Sequence, residues 1–255
     1  MVRIDFMGTP GIGKSYLIEH ILNKTNTHLP FLSRRDALIQ IARQNVTEYA
    51  FVYKTLIKIG LYLPAGDIAL LLANLVNRKK EEEVFSKLST IDQIIDQALI
   101  QYREFSQPAL RKIKRVQGLY QQILDGVLIS ENPSDNIVLM DESLAQHLPD
   151  VDLELINNQP LLPNILVHVT GEVEHLVVHI REREKQKNKS PRNLDHTYLQ
   201  LGLDYYTEKA ERFSAAGVRV IHIDIKENKS KNIDKILSTI KSVHNTNNKS
   251  LKIEN

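Results

Sequence analysis

Eight residues near the start of the chain, GTPGIGKS over Gly8 to Ser15, constrain this sequence more than any other stretch. They follow the spacing G-x-x-x-x-G-K-[ST], a loop whose glycines let the backbone curl until successive amides converge on one anion. The flanks agree. Val2, Ile4 and Phe6 alternate with Arg3 and Asp5, as in a strand that ends where Met7 meets Gly8. From Lys14 onward, Leu17, Ile18, Ile21 and Leu22 recur at helical spacing, with Asn23, Thr25 and Asn26 as the stop. An anion in the loop would meet the positive end of that helix. The candidate nucleotide-binding residues are therefore Gly8, Thr9, Pro10, Gly11, Ile12, Gly13, Lys14, Ser15 and Tyr16. In such a loop Lys14 reaches the β and γ phosphates and the Ser15 hydroxyl ligates Mg²⁺. A glycine turn that only caps an ordinary helix has the same composition.

Downstream, residues 34 to about 126 read mostly as helix, with apolar stripes such as Leu38, Ile41, Ala42 and Ile91, Ile94, Ile95, Ala98, Leu99. A short strand over Leu29 to Ser33 is weakened by Pro30. Ile137 to Met140 form a continuous apolar run closed by Asp141, Glu142 and Ser143, the pattern of a strand covered on both faces. Ile165 to Val169 and Val218 to Ile225 supply two more strands. Between them lie a basic helical segment from Val173 to about Arg192 and a helix from His196 to Ala216, ended by Gly217. Strands alternating with helices predict an α/β fold, a doubly wound parallel sheet with a large helical insertion over about 34–126 and a basic lid over about 173–195. One domain is expected over 1–244, its last helix carried by Ile233, Ile236, Leu237, Ile240 and Val243, with a polar, flexible tail over 245–255.

Two further stretches carry chemistry. IVLMDES places a carboxylate at the end of a buried strand, where Asp141 would stand beside the glycine loop and, with Ser15, hold Mg²⁺. Glu142 is either a catalytic carboxylate or a strand-end acid facing solvent. The run REREKQKNKSPR, residues 181–192, carries six basic groups that would neutralise charge on a transferred phosphoryl group and close over it. Arg181 and Arg183, two residues apart, sit roughly 200° apart on a helix, whereas Arg181 and Lys185 share a face. The same run also suits a solvated charged helix. The candidate catalytic set is Lys14, Asp141, Glu142, Arg181 and Arg183. Arg34, Arg35 and Asp36 in SRRD read either as an anion site with a base or as the start of a helix.

In order, these features resemble the P-loop kinases of small molecules, the nucleoside and nucleotide kinase-like group of P-loop nucleoside triphosphate hydrolases. The local likeness is to deoxyribonucleoside kinases, with Asp141, Glu142 and Ser143 as the strand-end motif, Arg181 and Arg183 as the lid arginines, and Tyr198, Leu199, Tyr205 and Tyr206 on the following helix. The arginine that those enzymes carry between acid and serine is missing from DES, and no matching carboxylate follows the second strand. The resemblance implies a Mg²⁺-ATP-dependent phosphotransferase acting on a small acceptor: a nucleoside, a nucleotide or another phosphorylatable metabolite. GTPGIGKS and the strand ending DE also resemble the ATPase modules of AAA+ proteins, which hydrolyse ATP without an acceptor. Against that, Asp141 lies far along the chain from Lys14.

Composition narrows the rest. Among 255 residues there is no cysteine, which excludes disulfides, thiolate zinc and a cysteine nucleophile. Nine histidines show no metal-ligand spacing. A net charge of +2 predicts no nucleic-acid partner, and the basic group Arg111, Lys112, Lys114 and Arg115 reads as a solvated helix face or a phosphate-binding patch. The longest apolar run, Ile68 to Val76, is broken by Asn74, short of the roughly 20 residues that span a bilayer. With no signal peptide, the expectation is a cytoplasmic protein without a membrane partner. Oligomeric state is not legible, and acceptor contacts are expected among Gln40, Arg43, Glu48, Tyr53 and Tyr102.

Overall fold

A computed structural model describes residues 1–24, 29–46, 66–104, 109–141, 143–149, 153–156, 160–186 and 193–250, with the single positions 55, 59, 188 and 190. Glu48, Tyr53 and Glu142 lie outside the described residues, as do positions 187, 189, 191 and 192 of the basic run.

The chain opens with β1 (Val2–Met7) and α1 (Lys14–Leu22), followed by β2 (Phe31–Ser33) and α2 (Arg34–Asn45). Then come α3 (Gly66–Asn77), α4 (Glu81–Ser86), α5 (Ile91–Glu104) and α6 (Ala109–Glu131). β3 (Ile137–Met140) leads into the single turn α7 (Leu144–His147). The last part is β4 (Ile165–Thr170), α8 (Val173–Gln186), α9 (His196–Ala215), β5 (Arg219–Asp224) and α10 (Lys229–Ser250). These strands form one five-stranded parallel sheet in the order β2-β3-β1-β4-β5. Ile4 pairs with Ile165 and Met7 with His168, and the β4–β5 ladder runs to Thr170 opposite Asp224.

That order explains where a ligand belongs. The chain builds β2 and β3 on one side of β1, then crosses to β4 and β5 on the other. Strand order therefore reverses around β1, and in open parallel sheets the crevice outside the carboxyl ends at such a reversal is where ligands bind. The residue that leaves β1 there is Gly8.

Alternation in β1 does not mark a wet face. Arg3 and Asp5 are both fully buried, because β1 is a central strand covered on both sides. Arg3 is tolerated because its guanidinium donates to Ser130 Oγ at 3.2 Å, to the Pro160 carbonyl at 3.0 Å and to the Leu161 carbonyl. Asp5 Oδ2 accepts from the Ala145 amide at 3.3 Å, tying β1 to the turn after β3.

The residues group into two compact units. One comprises Met1–Arg3, Leu32–Val138 and His147–Leu162. In it α2 packs on α3 through Ile39, Ala42, Val46, Ala69, Ala73 and Val76. α2 begins with a reciprocal cap: the Asp36 amide donates to Ser33 Oγ, and Ser33 Oγ donates to the Asp36 carboxylate at 2.6 Å. Of the two expectations for SRRD, the structure shows the helix start. Arg34 turns inward to the fully buried Asp125, which also accepts from Gln121 Nε2 at 2.8 Å.

The other unit comprises Ile4–Phe31, Leu139–Gln146 and Pro163–Asn255 and carries the glycine loop. Here α10 continues to Ser250, into the segment expected as a tail, since no Gly or Pro after Ile225 interrupts it. α8 ends at Gln186, short of the Arg192 limit expected for the basic helix. Among the described residues, no helix is long and apolar enough to cross a membrane.

Candidate functional site

Between β1 and α1 the backbone takes positive φ at Gly8, Gly11 and Gly13, with values of 151°, 94° and 104°. The turn is closed by the Ile12 amide donating to the Thr9 carbonyl at 3.1 Å, while the fully buried Ile12 side chain anchors it from below. Pro10 stands exposed at the tip. Gly13 is the N-cap of α1 in a left-handed conformation that a side chain would strain. Among the described residues no side chain caps the helix, and its first turn holds no acidic residue, so nothing of its own neutralises the positive end. Among the described residues, a Cβ at Gly13 would meet nothing within 4 Å, which leaves the backbone open to close approach by a ligand.

Lys14 is buried with 8% exposure, and its ammonium donates to the carbonyls of Gly8 at 2.6 Å and Thr9 at 3.5 Å. Those carbonyls hold the charge at the loop's mouth, where the oxygens of an anion would compete for it. Ser15, the next residue, is exposed and donates from Oγ to Asp141 Oδ2 at 2.7 Å. The pair joins the end of β1 to the end of β3, adjacent strands whose carboxyl ends meet at the loop.

The oxygens fit magnesium. Octahedral coordination at about 2.0–2.1 Å puts neighbouring ligand oxygens roughly 2.9 Å apart, close to the spacing already present between Ser15 and Asp141. Among the described residues no group of three or more His, Asp or Glu side chains could hold a metal by itself. A hard cation here would complete its shell with phosphate oxygens and water, the usual arrangement for Mg²⁺ on a nucleotide.

Ser143 is structural. Fully buried, it accepts from the Gln146 amide at 3.4 Å to cap α7, and its Oγ lies 3.5 Å from the Phe6 carbonyl. α8 reaches the loop through apolar residues: a Cβ on Gly11 would stand 2.9 Å from Ile180 Cγ1 and 3.8 Å from Leu176 Cδ1. Arg181 follows Ile180 and pairs within its own helix, Nη1 to Glu184 Oε2 at 3.2 Å, against a carboxylate that is 3% exposed as a residue. Arg183 is exposed. The structure thus brings Lys14, Ser15 and Asp141 together and sets α8 against the loop, with Arg181 and Arg183 outside that contact.

Three supporting residues were not legible beforehand. Gly202 on α9 lies against Thr9, where an added Cβ would stand in ordinary contact, 3.5 Å from Cγ2. The Thr9 hydroxyl is buried, with no hydrogen-bond partner among the described residues. His20 and Lys229 both lie against Tyr16. A glycine inside the helical pattern of α9 was the one available signal. Further along the same face of α9, buried Lys209 donates to the Gln146 carbonyl at 3.2 Å, and burial raises the Tyr206 hydroxyl pKa against the lowering effect of Gln146.

No family model matches the chain, and no curated protein matches it. Among solved structures it is similar to deoxyadenosine kinase from M. mycoides with bound dCTP, at 11% identity and a TM-score of 0.39, covering 94% of this chain and 100% of that one. The same kinase with products dCMP and dCDP gives 12% identity and 0.39, and with dATP 9% and 0.38, each covering 94% of this chain. Likeness at that level carries no argument about activity. On its own geometry the chain has an α/β P-loop fold, with the glycine loop leaving the central strand of a five-stranded parallel sheet.

Proposed function

We propose that the chain is a Mg²⁺-ATP-dependent phosphotransferase of the cytoplasm that moves the γ-phosphoryl group to a small acceptor: a nucleoside, a nucleotide or another phosphorylatable metabolite. The observation that carries this reading is the 2.7 Å pair of Ser15 and Asp141 beside Lys14 at an uncapped helix N-terminus. A catalyst of phosphoryl transfer has little covalent work to do; it positions reactants and stabilises charge. Lys14 would leave the loop carbonyls for the β and γ oxygens. The amides of the glycine loop and the first turn of α1 would cradle the phosphates. Ser15 and Asp141 would hold Mg²⁺, which neutralises charge on the β and γ oxygens when bound. Arg181 and Arg183 would release toward the transferring group as α8 shifts, and Glu142 would orient the acceptor hydroxyl.

The test is a panel of metabolites assayed for ADP release with Mg²⁺-ATP. Release that rises several-fold with one acceptor, and is absent in Lys14→Ala, supports the proposal. Hydrolysis that no acceptor stimulates, in a protein that assembles into rings with ATP, supports an ATPase module instead.

A further inference from the structure

The first turn of α1 sends two consecutive side chains in different directions. Ser15 faces Asp141. Tyr16, about 100° further round the helix, faces the ammonium of Lys229, which lies 4.4 Å from the ring centroid at the first residue of α10. His20, one turn on, backs the ring with centroids 3.9 Å apart and planes at 36°. Its Nδ1 lies 3.0 Å from the Tyr16 carbonyl, which can only accept, so Nδ1 carries the proton and the imidazole is held in place. Lys24 donates to Asp234 at 2.8 Å and ties the end of α1 to α10. Tyr16 is still 38% exposed.

We infer that Tyr16, backed by His20 and faced by Lys229, is the stacking platform for the base of the bound nucleotide, and that it holds adenine and guanine alike. This rests on the proposed triphosphate site at Lys14 and Ser15. If the metal-bearing phosphates are fixed on the Asp141 side of the first turn, the sugar and base leave along the other side, where Tyr16 stands. An exposed aromatic face takes the π-face of a base in an offset stack, where dispersion and removal from water supply the attraction. The base would take the place of the ammonium, and Lys229, on its four-carbon tether, would turn to the phosphates. Stacking reads no hydrogen-bonding edge, so it does not discriminate between purines.

Losing a base–aromatic stack costs between about fivefold and a hundredfold in affinity. Giving up an exposed cation–π contact returns about two- to fivefold of that. The net expectation for Tyr16→Ala is a loss of about tenfold.

Calorimetric titration of Mg²⁺-ATP, Mg²⁺-GTP and Mg²⁺-tripolyphosphate into the wild type, Tyr16→Ala, Tyr16→Phe and Lys14→Ala tests it. Tyr16→Ala should weaken ATP and GTP by the same factor of about ten and leave tripolyphosphate unchanged, Tyr16→Phe should match the wild type within about twofold, and Lys14→Ala should weaken all three. If Tyr16→Ala binds ATP like the wild type while Lys14→Ala does not, the platform is refuted and the triphosphate site stands. A loss that extends equally to tripolyphosphate refutes it too, because Tyr16 would then act on the loop. If the wild type binds none of the three, the triphosphate reading itself falls.

Discussion

Ser15 and Asp141, 126 positions apart in sequence, share a hydrogen bond of 2.7 Å at the carboxyl ends of neighbouring strands. That relationship turns a glycine loop and a strand-end acid into one site. If both hold the same Mg²⁺, Ser15→Ala and Asp141→Asn should each lower kcat/KM about 10- to 100-fold, the range for residues that orient a metal. The double variant should lose less than the product of the two, since both changes disable one ion. Steady-state kinetics over a magnesium titration checks this; full multiplicative losses would show the two acting separately.

Gly11 is pressed by α8. An alanine there takes a φ of 94° and puts its methyl 2.9 Å from Ile180 Cγ1. The backbone strain alone is worth about 1–2 kcal/mol, so Gly11→Ala should lower Tm and weaken nucleotide binding. Adding Ile180→Ala should restore binding more than stability, because it relieves the clash but not the dihedral. A Gly11→Ala protein with wild-type Tm would show that the α8 contact is not held in solution.

Asp125 is fully buried with its pKa raised by desolvation, an effect that Arg34 and Gln121 oppose. Removing Arg34 leaves a buried carboxylate short of its cation. Arg34→Met should cost about 2–3 kcal/mol at neutral pH, somewhat below the range for breaking fully buried pairs because Arg34 is 32% exposed. A raised folded pKa means stability is retained below the unfolded value and lost as pH rises through the folded one. The deficit of Arg34→Met should therefore shrink toward pH 4, and Arg34→Met/Asp125→Leu should recover most of it. Denaturant unfolding across pH measures both; a deficit independent of pH would contradict the assignment.

His168 faces His222 across the β4–β5 ladder, with 3.2 Å between their Nδ1 atoms. Burial first, and the neighbouring histidine second, lower its pKa to about 4. A depressed folded pKa means stability is full above the unfolded value of about 6.5 and lost as pH falls toward 4. That loss amounts to at most about 3.5 kcal/mol, at about 1.4 kcal/mol per unit. His168→Gln should flatten the slope between pH 6.5 and 4; an unchanged slope would place the acid sensitivity elsewhere.

What could be read from the sequence was local. The loop, β1, α1 and β3 are each written in contiguous residues, so GTPGIGKS and IVLMDES were sufficient to expect them. β2 was nearly lost, because only Phe31–Ser33 pair before Ser33 becomes a helix cap. The alternation in β1 marked the strand but not the burial of Arg3, whose partners at Ser130, Pro160 and Leu161 lie far away in sequence. For the same reason, Gly202 against Thr9 and Lys229 against Tyr16 were invisible: nothing in either segment encodes the other's position.

The central claim is that Lys14 and the loop around it hold the phosphates of a nucleoside triphosphate. Binding of Mg²⁺-ATP to the wild type and to Lys14→Ala, with circular dichroism confirming the same fold, tests it most directly. A charge-assisted bond is worth about 1.5–3 kcal/mol, so the variant should bind about 10- to 100-fold more weakly. Equal affinity in two equally folded proteins would contradict the account.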